Sequence, residues 1–318
     1  MRLKTSSGDH YIKRFLASDN VDLKDAGRLV KKGVRELYIQ KQYKLAFTSN
    51  ATKQIFAKLK SNTMEEKDKI ELLSNSVDIL RENILHAELT NETIELAQET
   101  IESVKKIINS SPKLKALLDK VIQNKSSYRY KMIQLTSYLS FHIISNLEWG
   151  TREQQEKLAY VALIHDITLS DDTSAMIRSE DDFKNATSTA ISISISQNEK
   201  SEIQTHAFKA SEMVLKLPAA PFGTEVIIKQ HHGSPGGFGF PSEISDGISP
   251  LAMVFLLCED YANYLIKNQT SSISMANNNI NASHALNSKE LFVKLRLKHL
   301  NKDLFDRIVK ILESISVF

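Results

Sequence analysis

Apolar residues recur at three- and four-residue intervals through most of this chain, and that spacing commits it to helices that must bury one face. The pattern takes hold at about Asn50, in "TKQIFAKLK", "MEEKDKIELLSNSVDILRENIL" and "NETIELAQETIESVKKIINS", and runs to Leu118. "SSPK" at 110–113 reads as a break between helices. From about Asn124 the pattern resumes in "YKMIQLTSYLSFHIISNLEW" (130–149) and "REQQEKLAYVALIHD" (152–166), which predict two packed helices joined at Gly150–Thr151. Further helices are expected around 202–217, 224–232 and 249–266, and in "KELFVKLRLKHL" and "DLFDRIVKILESI". With 318 residues, 42% of them hydrophobic, the chain can bury a sizeable core. It has only 10 Gly and 6 Pro, so long flexible linkers are not expected.

The first fifty residues are different. "HYIKRFLA" (10–17) has strand-like content, "DNVDLKDAGRLVKKG" (19–33) reads as a capped helix ended by Gly33, and "VRELYIQ" (34–40) returns to strand character. Residues 1–50 are therefore expected to form a small α/β unit, too small to be catalytic alone, with a helical connecting region over 51–125. The interval 167–200 is less regular, and "STAISISISQ" (188–197) fits either a loop or a short extended piece. The polar stretch "NQTSSISMANNNINAS" (268–283) reads as a loop.

A formal charge of +3, with no dense Lys/Arg block, gives no argument for binding DNA. The N-terminus lacks the apolar core of a signal peptide, and no stretch approaches ~18 uninterrupted apolar residues. A cytoplasmic protein without membrane association is the resulting expectation. The one cysteine, Cys258, excludes an internal disulfide and a thiolate zinc cluster. Its apolar surroundings, "LAMVFLLCED", predict a buried inert thiol.

The residues able to carry chemistry lie in the second part: His165, Asp166, His206, His231, His232 and Asp260. Four imidazoles and two carboxylates without sulfur suit iron, manganese or zinc better than copper(I) or an iron–sulfur cluster. The pairs His165–Asp166 and His231–His232 each end an apolar helical run. Adjacent helical residues point about 100° apart, so each pair can address two metals, or one metal and its bridging group. Two metals roughly 3.5–4 Å apart are a common device for displacement at phosphorus. Any one of these histidines alone reads as structural or solvated; the ordered set carries the argument.

"ALIHDI" (162–167), "QTHAFKASEMV" (204–214), "HHGSPGGFGFP" (231–241) and "LCEDYANYL" (257–265) together resemble the HD-GYP family, the branch of HD phosphohydrolases that hydrolyses cyclic di-GMP. The resemblance covers residues 126–318 and implies a mainly α protein, an HD-type helical bundle preceded by the small α/β unit and the connecting helices. It also implies two divalent metal ions, with iron favoured and manganese or zinc as alternatives. By position, His165 and Asp166 become the catalytic dyad, with Asp166 the bridge between metals. His206, His231, His232 and Asp260 become further ligands, and Gly237, Phe240 and Lys131 fall where substrate contacts are implied. The implied partner is cyclic di-GMP or a related nucleotide, with a signalling protein as a further partner. "GDHYIKRFLASDNVDLKDAGRLVKKGVRELYIQK" is similar, less specifically, to a small domain that precedes some of these phosphodiesterases.

The departures are specific too. Phe240 stands where the family has tyrosine, Leu169 where it has a phosphate-contacting lysine, and Gly233 and Gly236 where acidic residues are usual. A further histidine ligand about thirty residues before the dyad is missing; Tyr130 and Lys131 lie nearest its place. His142 could replace it only after a shift of about three helical turns, some ~16 Å, so it reads as a packing residue. Two expectations follow. One is a phosphodiesterase of reduced activity, using a metal-bridging hydroxide. The other is a degenerate domain that binds metal and either a nucleotide or a protein partner. A purely structural scaffold would instead hold no stoichiometric metal.

Overall fold

Helix starts in this chain are marked by short hydroxylated side chains. Thr90, Ser127, Thr151 and Ser196 each accept a hydrogen bond from a backbone N–H three residues on, which satisfies one of the orphan donors of the first turn. At Thr151 and Ser196 the third helical residue, Gln154 or Glu199, answers with a bond to the cap backbone, closing a capping box. A computed structural model describes residues 2–5, 8–11, 23–32, 40, 43–60, 66–86, 90–110, 117, 120–121, 126–169, 171–177, 180–187, 196–242, 244–275, 306–308 and 310–311. They divide into two compact units, Met1–Asn50 and Ala51–Phe318.

In the first unit β1 (Arg2–Thr5) pairs antiparallel with β2 (Gly8–Tyr11), with Arg2 opposite Tyr11 and Thr5 opposite Gly8. Helix α1 (Leu23–Lys31) follows and carries Arg28 and Lys31 in its last turn, where cations suit the helix dipole. A strand followed by a helix is the expected order, whereas the hairpin partner β1 was not expected. Of the first expected strand only His10 and Tyr11 are in a described strand. Residues 12–17, and all of the second expected strand except Gln40, lie outside the described residues.

The second unit is helical: α2 (Lys44–Lys60, which begins in the first unit), α3 (Glu66–His86), α4 (Asn91–Asn109), α5 (Tyr128–Ser145), α6 (Arg152–Ile164), α7 (Asp171–Met176), α8 (Glu180–Thr187), α9 (Gln197–Val214), α10 (Thr224–Gln230) and α11 (Pro250–Met275). Helix α5 is buried on nearly every face, which is why its sequence shows little amphipathic bias. It packs against α3, α4, α6, α7 and α11. One core cluster runs from Leu73 and Leu96 through Tyr138 and Leu163 to Phe255, so the helices within 51–125 share a core with those after 126. Buried polar pairs fasten them as well: Asn83 Nδ2 donates to Thr52 Oγ1 at 2.8 Å, and the Ser76 and Thr100 hydroxyls lie 3.2 Å apart.

The α5–α6 turn needs glycine at its expected place, since a Cβ on Gly150 would lie 1.8 Å from the Ile144 carbonyl oxygen. Helix α11 extends beyond its expected end at 266 to Met275. Its polar tail "NQTSSISM" contains no Gly or Pro to break it, and the rest of the expected loop, 276–283, lies outside the described residues. Among the described residues, no helix is long and apolar enough to cross a membrane.

Candidate metal centre

Helices α6, α9, α10 and α11 converge on one buried cluster. His165 caps the C-terminus of α6, and Asp166 follows in the turn. His206 comes from the middle of α9, His231 and His232 from the end of α10, and Glu259 from α11. None of the six is more than 7% exposed. Helix α10 starts from Gly223 in the left-handed conformation, φ 86°, a geometry that favours glycine.

The donor atoms form two groups that share Asp166: Asp166 with His206, His231 and His232, and Asp166 with His165 and Glu259. In the first, His206 Nε2 lies 2.9 Å from His232 Nε2 and 3.3 Å from His231 Nε2. Asp166 Oδ1 is 3.4 Å from His206 Nε2 and 3.6 Å from His231 Nε2. In the second, His165 Nε2 is 3.0 Å from Glu259 Oε1 and 3.6 Å from Asp166 Oδ2. The two Asp166 oxygens thus face different groups.

Three imidazoles have their tautomer fixed by their own helices. Nδ1 of His206 faces the Ile203 carbonyl at 2.5 Å, Nδ1 of His231 that of Ile228 at 2.6 Å, and Nδ1 of His165 those of Val161 and Ala162 at 3.1 and 3.2 Å. A carbonyl only accepts, so each Nδ1 donates, and in the neutral ring Nε2 carries a lone pair. Lone pairs facing each other at 3.3 Å repel unless a proton or a cation lies between them. Metal–donor bonds of ~2.1 Å place neighbouring donors about 3.0 Å apart in an octahedron and about 3.4 Å apart in a tetrahedron. The observed spacings are close to those edges, and the Nδ1–carbonyl bonds are the outer-shell orientation that metal-ligating histidines use. The donor set fits, and this cluster could hold metal ions.

Burial pushes the His231 imidazole below its ordinary 6.5, outweighing the opposite pull of Asp166 and Glu259. The folded chain therefore binds this proton less readily than the unfolded chain. For chelator-stripped protein, this contribution to stability is complete above pH 6.5 and is lost as pH falls below it. Urea midpoints at about pH 7.5 and about pH 5.5 should show the decline, and equal midpoints would refute it.

Behind the cluster, Arg129 reaches from α5 to the turn after α6, a contact to which no motif in the chain pointed. It is 4% exposed and donates from one terminal nitrogen to the Asp166 carbonyl at 2.8 Å and from the other to that of Leu169 at 2.6 Å. Arg81 Nε on α3 donates to the same Leu169 carbonyl at 3.1 Å. Ser174 on α7 donates to Asp166 Oδ2. Arg129→Met removes both guanidinium bonds, and the Asp166 carbonyl loses a buried donor. The expected cost is about 2–3 kcal/mol of stability, read from urea unfolding, together with weaker metal retention. Unchanged stability would sink this assignment.

An apolar cap lies beside the ligands. Leu169, Ile177, Ile203 and Phe240 form a small buried cluster with Phe183 packed against it. The Phe240 ring lies 4.3 Å from the His232 ring and 5.9 Å from that of His206, centroid to centroid. Leu169 and Phe240 thus belong to one apolar surface next to the cluster.

The other expected site residues fall elsewhere. Asp260 is half-buried and belongs to neither donor group; its neighbour Glu259 faces His165 instead. The reason is helix phase: Glu259 lies four residues after Phe255, whose ring packs 5.2 Å from that of His165, so both share one face of α11. Counting on from Phe255 would have selected Glu259 had its partner been known. Lys131 is partly buried, and desolvation lowers its pKa. Gly237, at φ 73°, turns its Cβ side toward Lys229, whose Cγ would be 2.7 Å from an added Cβ. Its lack of a side chain thus serves close packing on the end of α10. His142 packs on Tyr138 at 4.3 Å between ring centroids, and Cys258 is buried with its thiol pushed up to about 12 by desolvation.

The chain matches no protein-family model, and comparisons with curated proteins and with solved structures found no match.

Proposed function

We propose that the protein is an HD-GYP-like, metal-dependent phosphodiesterase of reduced activity whose substrate is cyclic di-GMP or a related nucleotide. The observation that supports this reading is the convergence of four imidazoles and two carboxylates on two donor groups that share Asp166. His206, His231 and His232 would hold one divalent ion, His165 and Glu259 a second, with an Asp166 oxygen turned to each. Iron fits this nitrogen and oxygen donor set, as do manganese and zinc. Such ions supply a water of lowered pKa and neutralise charge on phosphoryl oxygens. The chain's part is to hold the imidazoles in the tautomer that leaves Nε2 open, to fix Asp166 through Ser174 and Arg129, and to exclude bulk water through the cap. No serine or cysteine nucleophile is called for.

A second reading is favoured by the cap itself. With a leucine at 169 and a phenylalanine at 240, both packed in apolar contact, the site offers no cation or phenol from those positions to a phosphate. A domain that binds metal and nucleotide without efficient turnover, or that engages a signalling partner, fits that surface. Elemental analysis of protein purified without chelators tests both readings. Near-zero iron, manganese and zinc sinks the two together. With metal present, incubation with cyclic di-GMP and chromatography separates them: linear product supports the phosphodiesterase, and tight binding without product supports the receptor.

A further inference from the structure

A cavity of about 310 Å³ is lined by Phe183, Lys184, Gln204, Phe238, Phe240 and Pro241. We propose that it is a subsite for a flat heteroaromatic ring, the base of a nucleotide whose phosphate lies at the metal centre. The second half of this assignment rests on the phosphodiesterase reading above and names how that substrate would be gripped.

Three features converge on a planar ligand. The Phe183 and Phe240 rings, which both line the cavity, are stacked on each other at 28° with centroids 6.2 Å apart, so they form one fixed aromatic wall. Phe238 is stacked on Phe208 at 5.1 Å and 19°, with the Lys229 ammonium 5.4 Å over the Phe208 ring. Supported on that side, Phe238 is still 56% exposed, as suits a platform held ready for another ring. The turn that carries Phe238 and Phe240 is fixed to α9 by its backbone. The Gly239 N–H donates to the Gln204 carbonyl at 2.8 Å, and the Phe208 N–H donates to that of Gly237 at 3.2 Å. Both glycines have left-handed φ, 67° and 73°. A platform fixed in this way loses little freedom when a ring lands on it.

Polar groups at the rim match the rest of a nucleotide. The exposed Gln204 amide can both donate to and accept from a ring edge, and the exposed Lys184 ammonium complements a phosphate. Phe240 packs on the His232 ring and also lines the cavity, so the cavity adjoins the imidazole cluster. Base and phosphate would thus both lie next to Phe240.

Guanosine and GMP are the probes, titrated into the full chain by calorimetry, both metal-loaded and chelator-stripped. Guanosine should bind in both states. Phe238→Ala and Phe183→Ala should each weaken it about tenfold, with metal content unchanged. Phe238→Leu, which keeps most of the bulk, guards against a folding artefact and should weaken binding similarly, because the π face is lost. In metal-loaded protein GMP should bind more tightly than guanosine, and Lys184→Gln should narrow that preference. No guanosine binding, or binding indifferent to both phenylalanine substitutions, overturns the subsite even where metal is stoichiometric. Guanosine binding in a protein that takes up no metal would instead uphold the subsite and sink the phosphodiesterase reading.

Discussion

Asp166→Ala is expected to abolish stoichiometric metal binding and, with it, any hydrolysis of cyclic di-GMP. Its carboxylate is the one ligand common to both donor groups, so a single substitution removes an oxygen from each. The measurement is metal content per chain after purification without chelators, alongside thermal unfolding with and without added metal. At metal concentrations about 100 times Kd, binding to the native state alone stabilises by about 2.7 kcal/mol. The wild-type chain should show that shift and the variant should not. Two neighbouring substitutions give the control. Glu259→Gln should lower metal content, because Glu259 faces His165, whereas Asp260→Asn should leave it unchanged. The opposite order would restore Asp260 as the ligand and discard the helix phase argued for α11.

Phe240→Tyr carries the second large expectation: turnover rising by up to about 10²-fold at constant metal content. One preorganised donor aimed at developing charge contributes roughly 3 kcal/mol to transition-state stabilisation, and on the proposed phosphodiesterase reading a phenol at this turn would be that donor. The ring is 8% exposed and packs on His232, so the substitution lies beside the imidazole cluster. An unchanged rate in a folded, metal-loaded variant would refute the idea that the missing phenol limits activity. Leu169→Lys is not an equivalent repair. Leu169 is 4% exposed within the apolar cap, where an ammonium would lose its hydration without a charged partner. That variant is expected to unfold at lower urea.

The helical architecture was legible because three- and four-residue apolar spacing is a local property of a chain, and the caps at Thr151 and Ser196 are local too. The imidazole set was equally legible, since histidine pairs at the ends of apolar runs show in the sequence itself. Glu259 was not. Residues 252–259 of α11 are all buried, so no polar face marks the helix phase, and two adjacent acids could not be told apart. Arg129 escaped notice for a related reason, lying in a helix buried on most faces, where "YRYK" gives no sign of which side chain turns toward the dyad. The hairpin of the first unit was missed because its four-residue strands are too short to show alternation.

By itself, then, the sequence determined that this chain is mainly helical and that it carries a nitrogen and oxygen donor set suited to a metal. Those conclusions need only local periodicity and side-chain chemistry. Only the tertiary structure decided which donors meet. His165 and Glu259 are 94 residues apart, and His206 and His232 are 26 apart, on helices whose rotation is set by packing rather than by local pattern. It also decided that Leu169 and Phe240, far apart in sequence, close over the same site. Contacts of that kind depend on how buried helices turn toward one another, and a helix buried all round leaves no trace of its rotation in the order of its residues.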